Sequence, residues 1–316
     1  MNTSGLVRHG LLQAVALVLG VTFLGFLLMV YFAPDLSYQL AGKNPTAEQI
    51  QQIRQQLGYD QPLPVRYLQY LQELATFDFG YSDSSGERVT ALLARTLPVS
   101  AALLLPGFIL GHILAMGLGA VAAYGRGRWT DRLIAVVSGT GMSISFIVVM
   151  IAFQLVFASS YGLNWFPARG WQWATPAQYL SHVAVPTLTI LFVSSGYNTR
   201  FYRAVFVEQI GQDYVKAARA FGYSRTRTFF RVILPNSLLP VLTRVLYSVP
   251  AILVGGSLLL ESYFGIPGVG KSTFDAITSG DQPVLKAVIA LSSLALAVVM
   301  LSVDRLYRVV DPRLRG

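Results

Sequence analysis

The chain has 316 residues, 53% hydrophobic and 12% charged, with a net charge of +9 and a mean hydropathy of +0.53. A soluble domain carries about 25% charged residues, so this composition excludes an ordinary soluble domain and points to a polytopic membrane protein. The lack of cysteine excludes disulfides and thiolate metal sites; His9, His112 and His182 have no ligand spacing and read as structural; and the basic excess is scattered over short loops, without the basic patch of a nucleic-acid binder.

In chain order, Arg8 and His9 precede an apolar run, 10–32, long enough to cross a hydrocarbon core of about 30 Å. A signal peptide is the competing reading. Its apolar core would be about 7–15 residues and end in an A-x-A-like site, whereas this run is longer and ends in Ala33-Pro34-Asp35, so an uncleaved first span is favoured. Residues 33–96 are polar and punctuated. Thr46 with Gln49 is a capping-box pattern, Ile50, Ile53 and Leu57 continue that helix, and Gly58 closes it. Pro62 and Pro64 lead into a second helix carrying Leu68, Leu71 and Leu74. A second span is predicted over 98–124, where Gly111, Ala115 and Gly119 form a small-residue face for close helix packing. A short basic loop, 125–132, precedes a third span over 133–157. Trp165, Trp171 and Trp173 in the next loop read as an interfacial belt, ahead of any contact with substrate. The fourth span covers 180–199, with a kink expected at Pro186; the fifth covers 238–260 and the sixth 284–303.

Between the fourth and fifth spans lies a polar-faced segment, DYVKAARAFGYSRTRTFFRVILP, residues 213–235. Tyr214, Ala217, Ala218 and Phe221 form one stripe of a helix that Gly222 closes as a left-handed cap. A second short helix is predicted to set Phe229, Phe230, Ile233 and Leu234 against Arg227 and Arg231, and to stop at Pro235. The two make a compact knob with small alanines on its exposed edge, suited to a groove on another protein, while Phe221, Phe229 and Phe230 read as its core.

Six spans place both termini on one side. That side carries fifteen of the 24 lysines and arginines, from Arg8 to Arg315; the other carries eight, over longer loops, and Arg244 falls inside the fifth span. The positive-inside rule then makes the termini and the knob cytoplasmic and 33–96 extracytoplasmic. Residues 265–272, GIPGVGKS, match the P-loop pattern at every position. The match is rejected: no sheet strand precedes it, little chain follows it, and the loop falls outside, where ATP is absent. Among the span interiors only His112, His182 and Arg244 are ionisable, with Arg244 read as snorkelling to the interface. No carboxylate stands near a span centre, as an ion-coupled carrier would need, so an energy source in a separate subunit is favoured, with an ion-coupled carrier or a channel as the alternative.

Lys216-Ala217-Ala218, Gly222 and Val232-Ile233-Leu234-Pro235 resemble the "EAA…G…I-x-LP" loop of ABC-importer permeases, with Lys216 in place of Glu and Val232 in place of Ile. Glu261, Phe264, Gly265, Pro267, Gly268 and Gly270 resemble the E-x-x-F-G-x-P-G-x-G loop of the dipeptide/oligopeptide permeases. Further likenesses to that family are Leu57-Gly58-Tyr59-Asp60-Gln61-Pro62, Asp78-Phe79-Gly80-Tyr81-Ser82, Arg95 to Ser100 and Asp311-Pro312-Arg313-Leu314-Arg315. The resemblance implies an all-α, six-helix bacterial inner-membrane subunit with the type I importer fold and a small extracytoplasmic helical insertion between helices 1 and 2. Its parts would be 1–32, the insertion 33–96, a permease core 97–310 with a cytoplasmic coupling loop 200–237, and a tail 311–316. It implies a second, homologous permease, two cytoplasmic ATP-binding subunits that hold the ATP and magnesium, and an extracytoplasmic solute-binding protein. The cargo implied is peptide, with nickel chelates and glutathione among relatives' cargoes. This chain would itself hold no catalytic residue, cofactor or metal. Tyr214, Lys216, Ala217, Ala218, Arg219, Gly222, Leu234 and Pro235 would dock the ATPase, and the Glu261–Gly270 loop would shape a re-entrant turn at the pathway mouth.

Overall fold

The structure, a computed structural model, describes residues 3–42, 44–252 and 256–310 and, among these, the side chains of all but residues 3–9, 39, 251, 304 and 308–310. The tail 311–316 and Lys43 lie outside the described residues, as do the side chains of Arg8, His9 and Arg308. In chain order the helices are α1 (Thr3–Phe32), α2 (Leu36–Leu40), α3 (Ala47–Gln56), α4 (Leu63–Thr76), α5 (Val89–Tyr124), α6 (Trp129–Ser143), α7 (Phe146–Ala158), α8 (Pro176–Ile210), α9 (Asp213–Ala220), α10 (Arg225–Thr228), a π-helical turn (Phe229–Ile233), α11 (Leu234–Asn236), α12 (Leu238–Ala251), α13 (Ser257–Phe264), α14 (Val269–Ser279) and α15 (Gln282–Val310). Among the described residues the extended structure amounts to one isolated bridge, Tyr81 to Arg88. The chain divides into two compact units, Met1–Ser100 with Pro267–Leu301, and Ala101–Ile266 with Ser302–Gly316.

In the first unit Phe26, Met29, Tyr70, Phe79, Val89, Val284 and Ala290 share a buried core. A Cβ at Gly25 would lie 2.7 Å from the Ile289 side chain, so the absence of one lets α1 approach α15. Thr46 and Gln49 exchange the two bonds of the expected capping box, at 3.3 and 3.0 Å, and Gly58 closes α3 at φ +67°. Leu68 is exposed; α4 turns Tyr70 inward instead, and its Oη donates to the Lys286 carbonyl at 2.8 Å. Lys286 grips Glu73 at 2.9 Å. Asp281, buried ahead of α15, accepts from the hydroxyls of Ser82 and Ser84 at 2.6 and 2.7 Å. Burial, then the neighbouring Asp281 charge, pushes the Asp83 carboxyl up to about 6.

In the second unit the glycine face of α5 packs on α8. Added Cβ atoms at Gly107, Gly111 and Gly119 would come within 2.5–3.0 Å of Ile190, Ser194, Tyr202 and Arg203, and Ala115 is fully buried, whereas at Gly117 nothing lies within 4 Å. Gly196 brings α8 onto α6, where a Cβ would stand 2.9 Å from the Ser138 carbonyl. Asp131 at the start of α6 takes both arms of Arg203 on α8, at 2.6 and 2.7 Å, and the Gly127 amide at 2.9 Å. α8 continues through Pro186 as one helix.

Four helices, Gly10–Phe32, Val89–Tyr124, Pro176–Ile210 and Gln282–Tyr307, are long and apolar enough to cross a membrane, and two bent pairs raise the total to as many as six. The predicted third span is one of these pairs: α6 and α7 meet at 102°. The reason lies in the run Ser138-Gly-Thr-Gly-Met-Ser-Ile-Ser145. Its glycines and short hydroxyl residues drive a helix weakly, and Ile144 and Ser145 adopt extended ψ values of 133° and 139°. The predicted fifth span is helical over Leu238–Ala251 and Ser257–Phe264, and residues 253–255 between them lie outside the described set.

Candidate functional site

The knob forms as two helical arms. α9 starts after Gln212, with Asp213 in its first turn and Lys216 bonded to it at 2.8 Å. That hydrogen bond holds the Asp213 carboxyl below its usual range. The helix ends in a complete Schellman motif: the Tyr223 amide donates to the Ala218 carbonyl at 3.1 Å and the Gly222 amide to the Arg219 carbonyl at 3.0 Å. Gly222 stands at φ +81°, the left-handed value the motif requires. Ser224 caps the second arm by accepting from the Arg227 amide.

The second arm does not stop at Pro235. It runs from Arg225 to Asn236 and then bends by 66° at Ser237 into α12. The π turn resolves the proline problem. The Leu234 amide reaches back to the Phe229 carbonyl, and Pro235, which has no amide, sits at the start of the next turn.

What anchors the knob differs from the sequence reading. Val215 is the buried residue of α9, and Ile233 and Thr228 those of the second arm. Val215 and Ile233 join Ala115, Ala123, Tyr202, Phe206 and Val241 in one cluster, with Phe229 packed edge-on against Phe206 at 5.1 Å. Burying Val215 and Ile233 contributes about 1.5–3 kcal/mol each. Phe221 and Phe230, expected in the core, are 84% and 61% exposed. An eight-residue helix with a small buried face leaves too little neighbouring surface to cover both rings.

Of the residues predicted for docking, Tyr214, Lys216, Ala217, Arg219, Gly222 and Pro235 are exposed, and Ala218 and Leu234 are half-buried. The Tyr214 hydroxyl bonds to Gln209, and the Arg219 guanidinium lies over the Tyr124 ring. Tyr124, which the sequence reading did not single out, also donates to the Arg225 carbonyl at 3.1 Å and so ties the end of α5 to both arms. Its one sequence signal is its place as the last residue before the basic loop. A cleft of about 280 Å³ opens there, with Arg126, Arg219 and Arg225 among its lining residues.

The second predicted group is a turn between two helices. Glu261 and Phe264 are buried on α13, Gly265 ends that helix at φ +69°, Pro267 is exposed, and Gly268 and Gly270 are buried at the start of α14. The same geometry bears on the P-loop pattern. The run follows a helix rather than a strand, the Val269 amide is taken by the Ser100 hydroxyl at 2.8 Å, Lys271 turns to Asp275 at 2.6 Å, and Ser272 bonds back to the Gly268 carbonyl.

Arg244 is held by contacts within the protein. Its Nε donates to Asn198 Oδ1 at 3.0 Å and its guanidinium lies over Phe201. His112 is held between the Tyr202 hydroxyl at 2.6 Å and the Ser248 hydroxyl at 3.0 Å.

Comparison with known proteins bears on the whole chain. The family described as "Binding-protein-dependent transport system inner membrane component" matches residues 115–316, and its N-terminal companion family matches 4–104. The chain is 33% identical over 310 residues to the glutathione transport system permease protein of Salmonella paratyphi A, with 98% of each chain covered. It is 30% identical over 311 residues, again with 98% of each covered, to a Sinorhizobium fredii protein named "Probable peptide ABC transporter permease protein". A solved structure of the MetNI methionine ABC transporter, in an inward-facing conformation, matches with a TM-score of 0.55 at 17% identity, over 70% of this chain and 97% of that one. At that identity the likeness fixes the fold, which is that of a type I importer permease.

Proposed function

Because the chain belongs to the family of binding-protein-dependent transport system inner membrane components, we propose that it forms half of the translocation pathway of an ATP-driven ABC importer for di- or oligopeptides. A second permease of the same type would form the other half. Two cytoplasmic ATPases would supply the energy, and a binding protein on the far side would deliver the cargo.

The observation that carries this reading is the knob. Its outer edge offers Ala217, Gly222 and the exposed rings of Phe221 and Phe230, while Val215, Phe229 and Ile233 fasten it to α5 and α8. An exposed apolar edge on a rigidly held element suits a groove on a separate protein, here the ATPase. Closure of the ATPase dimer would move the knob, and α8 and α12 with it, and so change the side to which the pathway opens. In this reading the knob and termini are cytoplasmic, the 33–96 segment is extracytoplasmic, and the Glu261–Gly270 turn lies near the outer mouth. The chain itself catalyses nothing.

The test is a pull-down of tagged chain in mild detergent, followed by reconstitution into vesicles. Recovery of two ATP-binding polypeptides and a second permease, with ATP-dependent peptide uptake, is expected. Uptake driven by a proton gradient without ATP, or ATP hydrolysis by the purified chain alone, would overturn the proposal.

A further inference from the structure

Arg244 lies at the midpoint of α12 and carries a full charge that the protein around it does not balance. Among the described residues no carboxylate stands within 4 Å of it, and its hydrogen bond to a neighbour uses Nε alone, leaving both terminal nitrogens as open donors. Asn198 and the Phe201 ring fix the guanidinium in place from one side. Arg244 and Asn198 both line a cavity of about 240 Å³, together with Phe108, Phe146, Ile190, Ser248 and His112.

Those polar groups are neutral, and the His112 ring nitrogens, the Ser248 hydroxyl and Asn198 Oδ1 are each engaged by a neighbour. Ser248 donates to the Val245 carbonyl, so its oxygen accepts from His112 Nε2, and Nδ1 in turn accepts from Tyr202. In a neutral imidazole this is the one tautomer that satisfies both contacts. Ser194 Oγ has no partner, but it is fully covered and faces Gly111 on α5. The cavity therefore presents one fixed cation with a free two-nitrogen fork, set among neutral polar groups and an apolar wall. A guanidinium left unpaired in a membrane-spanning segment is costly, and such residues mark solute paths or binding sites.

We infer that this cavity is an anion site for the carboxylate of a partly apolar solute, with Arg244 as the bidentate donor and Asn198 as its positioning residue. The planar fork matches a carboxylate, and a single positive charge among neutral donors balances a monoanion better than a phosphate dianion. The volume is below the range of pockets that enclose a drug-sized ligand, so the site fits the terminal residue of a longer solute rather than the whole of it. The identification of that carboxylate with a peptide's C-terminus rests on the permease reading above.

The test uses the full chain in lipid nanodiscs, phenylglyoxal as an arginine reagent, and mass-spectrometric readout at Arg244. N-acetyl-alanyl-alanine is expected to suppress labelling of Arg244, and its C-terminal amide to leave labelling unchanged. Asn198→Asp, close to isosteric, places a carboxylate against the guanidinium from within; Arg244 should then label slowly whether or not the acid is present. The ratio of labelling with and without probe is internal to each preparation and does not depend on yield. Equal effects of acid and amide, equal protection by chloride, or an Arg244 that resists the reagent in the unliganded wild type would each overturn the site. ATP-driven uptake by the assembled complex reads separately. Uptake without protection removes the site and keeps the permease; protection without uptake does the reverse.

Discussion

Replacing Gly222 by valine perturbs the knob at one backbone torsion and nowhere else. Gly222 holds φ +81°, and no atom lies within 4 Å of the position a Cβ would take, so steric contact with the rest of the protein adds nothing. The penalty is the left-handed conformation itself, about 1–2 kcal/mol for a residue with a Cβ and toward the upper end for a β-branched one. If the turn opens to relieve it, the two Schellman bonds at 3.0 and 3.1 Å are lost as well. About 2 kcal/mol is a factor of roughly 30 in favour of a rearranged turn, too little to prevent membrane insertion but enough to displace the docking edge in most molecules. The assay is ATP hydrolysis and ATP-driven uptake by the reconstituted complex, beside Gly222→Asn and Gly211→Ala. Gly222→Val should hydrolyse ATP without uptake. Asparagine tolerates the left-handed region and should retain most of the uptake. Gly211 has φ −73°, with a Cβ site 3.4 Å from its nearest neighbour, and alanine there should behave as wild type. Normal uptake by Gly222→Val, or failure of Gly222→Asn to the same degree, would refute the backbone argument.

Breaking the Asp131–Arg203 pair with Asp131→Ala should lower stability by about 2 kcal/mol, less than for a fully buried pair because the arginine is one-third exposed, and Asp131→Ala with Arg203→Ala should recover part of it in a thermal melt. Gly119→Leu should prevent close packing of α5 on α8 and yield aggregated or much less stable protein by size-exclusion chromatography, whereas Gly117→Leu on the open face of the same helix should not. Asp83, pushed up to about 6 from 3.8, binds its proton more tightly in the folded protein, so it lowers stability as pH rises from about 4 through 6. Asp83→Asn should remove that slope and melt at a higher temperature than wild type at pH 7.5.

The sequence made legible whatever rests on local chemistry. The Thr46–Gln49 capping box, the Gly58 and Gly222 caps and the Gly111–Ala115–Gly119 packing face are all where short-range rules put them. The apolar runs located the long helices, although α5 and α8 extend well past the hydrophobic stretches that marked them. What was misread depends on contacts between distant segments. Whether Phe221 is covered depends on what faces α9, and the break between α6 and α7 falls in a weakly helical run whose apolar flanks read as one continuous span. Pro235 looked like a stop because a π turn leaves no simple signature, and the bond of Arg244 to Asn198 left no trace because the two are 46 positions apart.

Helix α8 is an unbroken rod of 35 residues, about 52 Å from end to end at the α-helical rise. Gly196, seated against the Ser138 carbonyl, is the natural fulcrum. From there Ile210, next to the knob, is a lever arm of about 21 Å, so pivoting through about 10° swings it by nearly 4 Å. Asn198 stands only two residues from the pivot and travels by about half an ångström in the same stroke. A force applied at the far end would thus carry the knob through several ångströms while the α8 wall of the Arg244 cavity stays almost where it is.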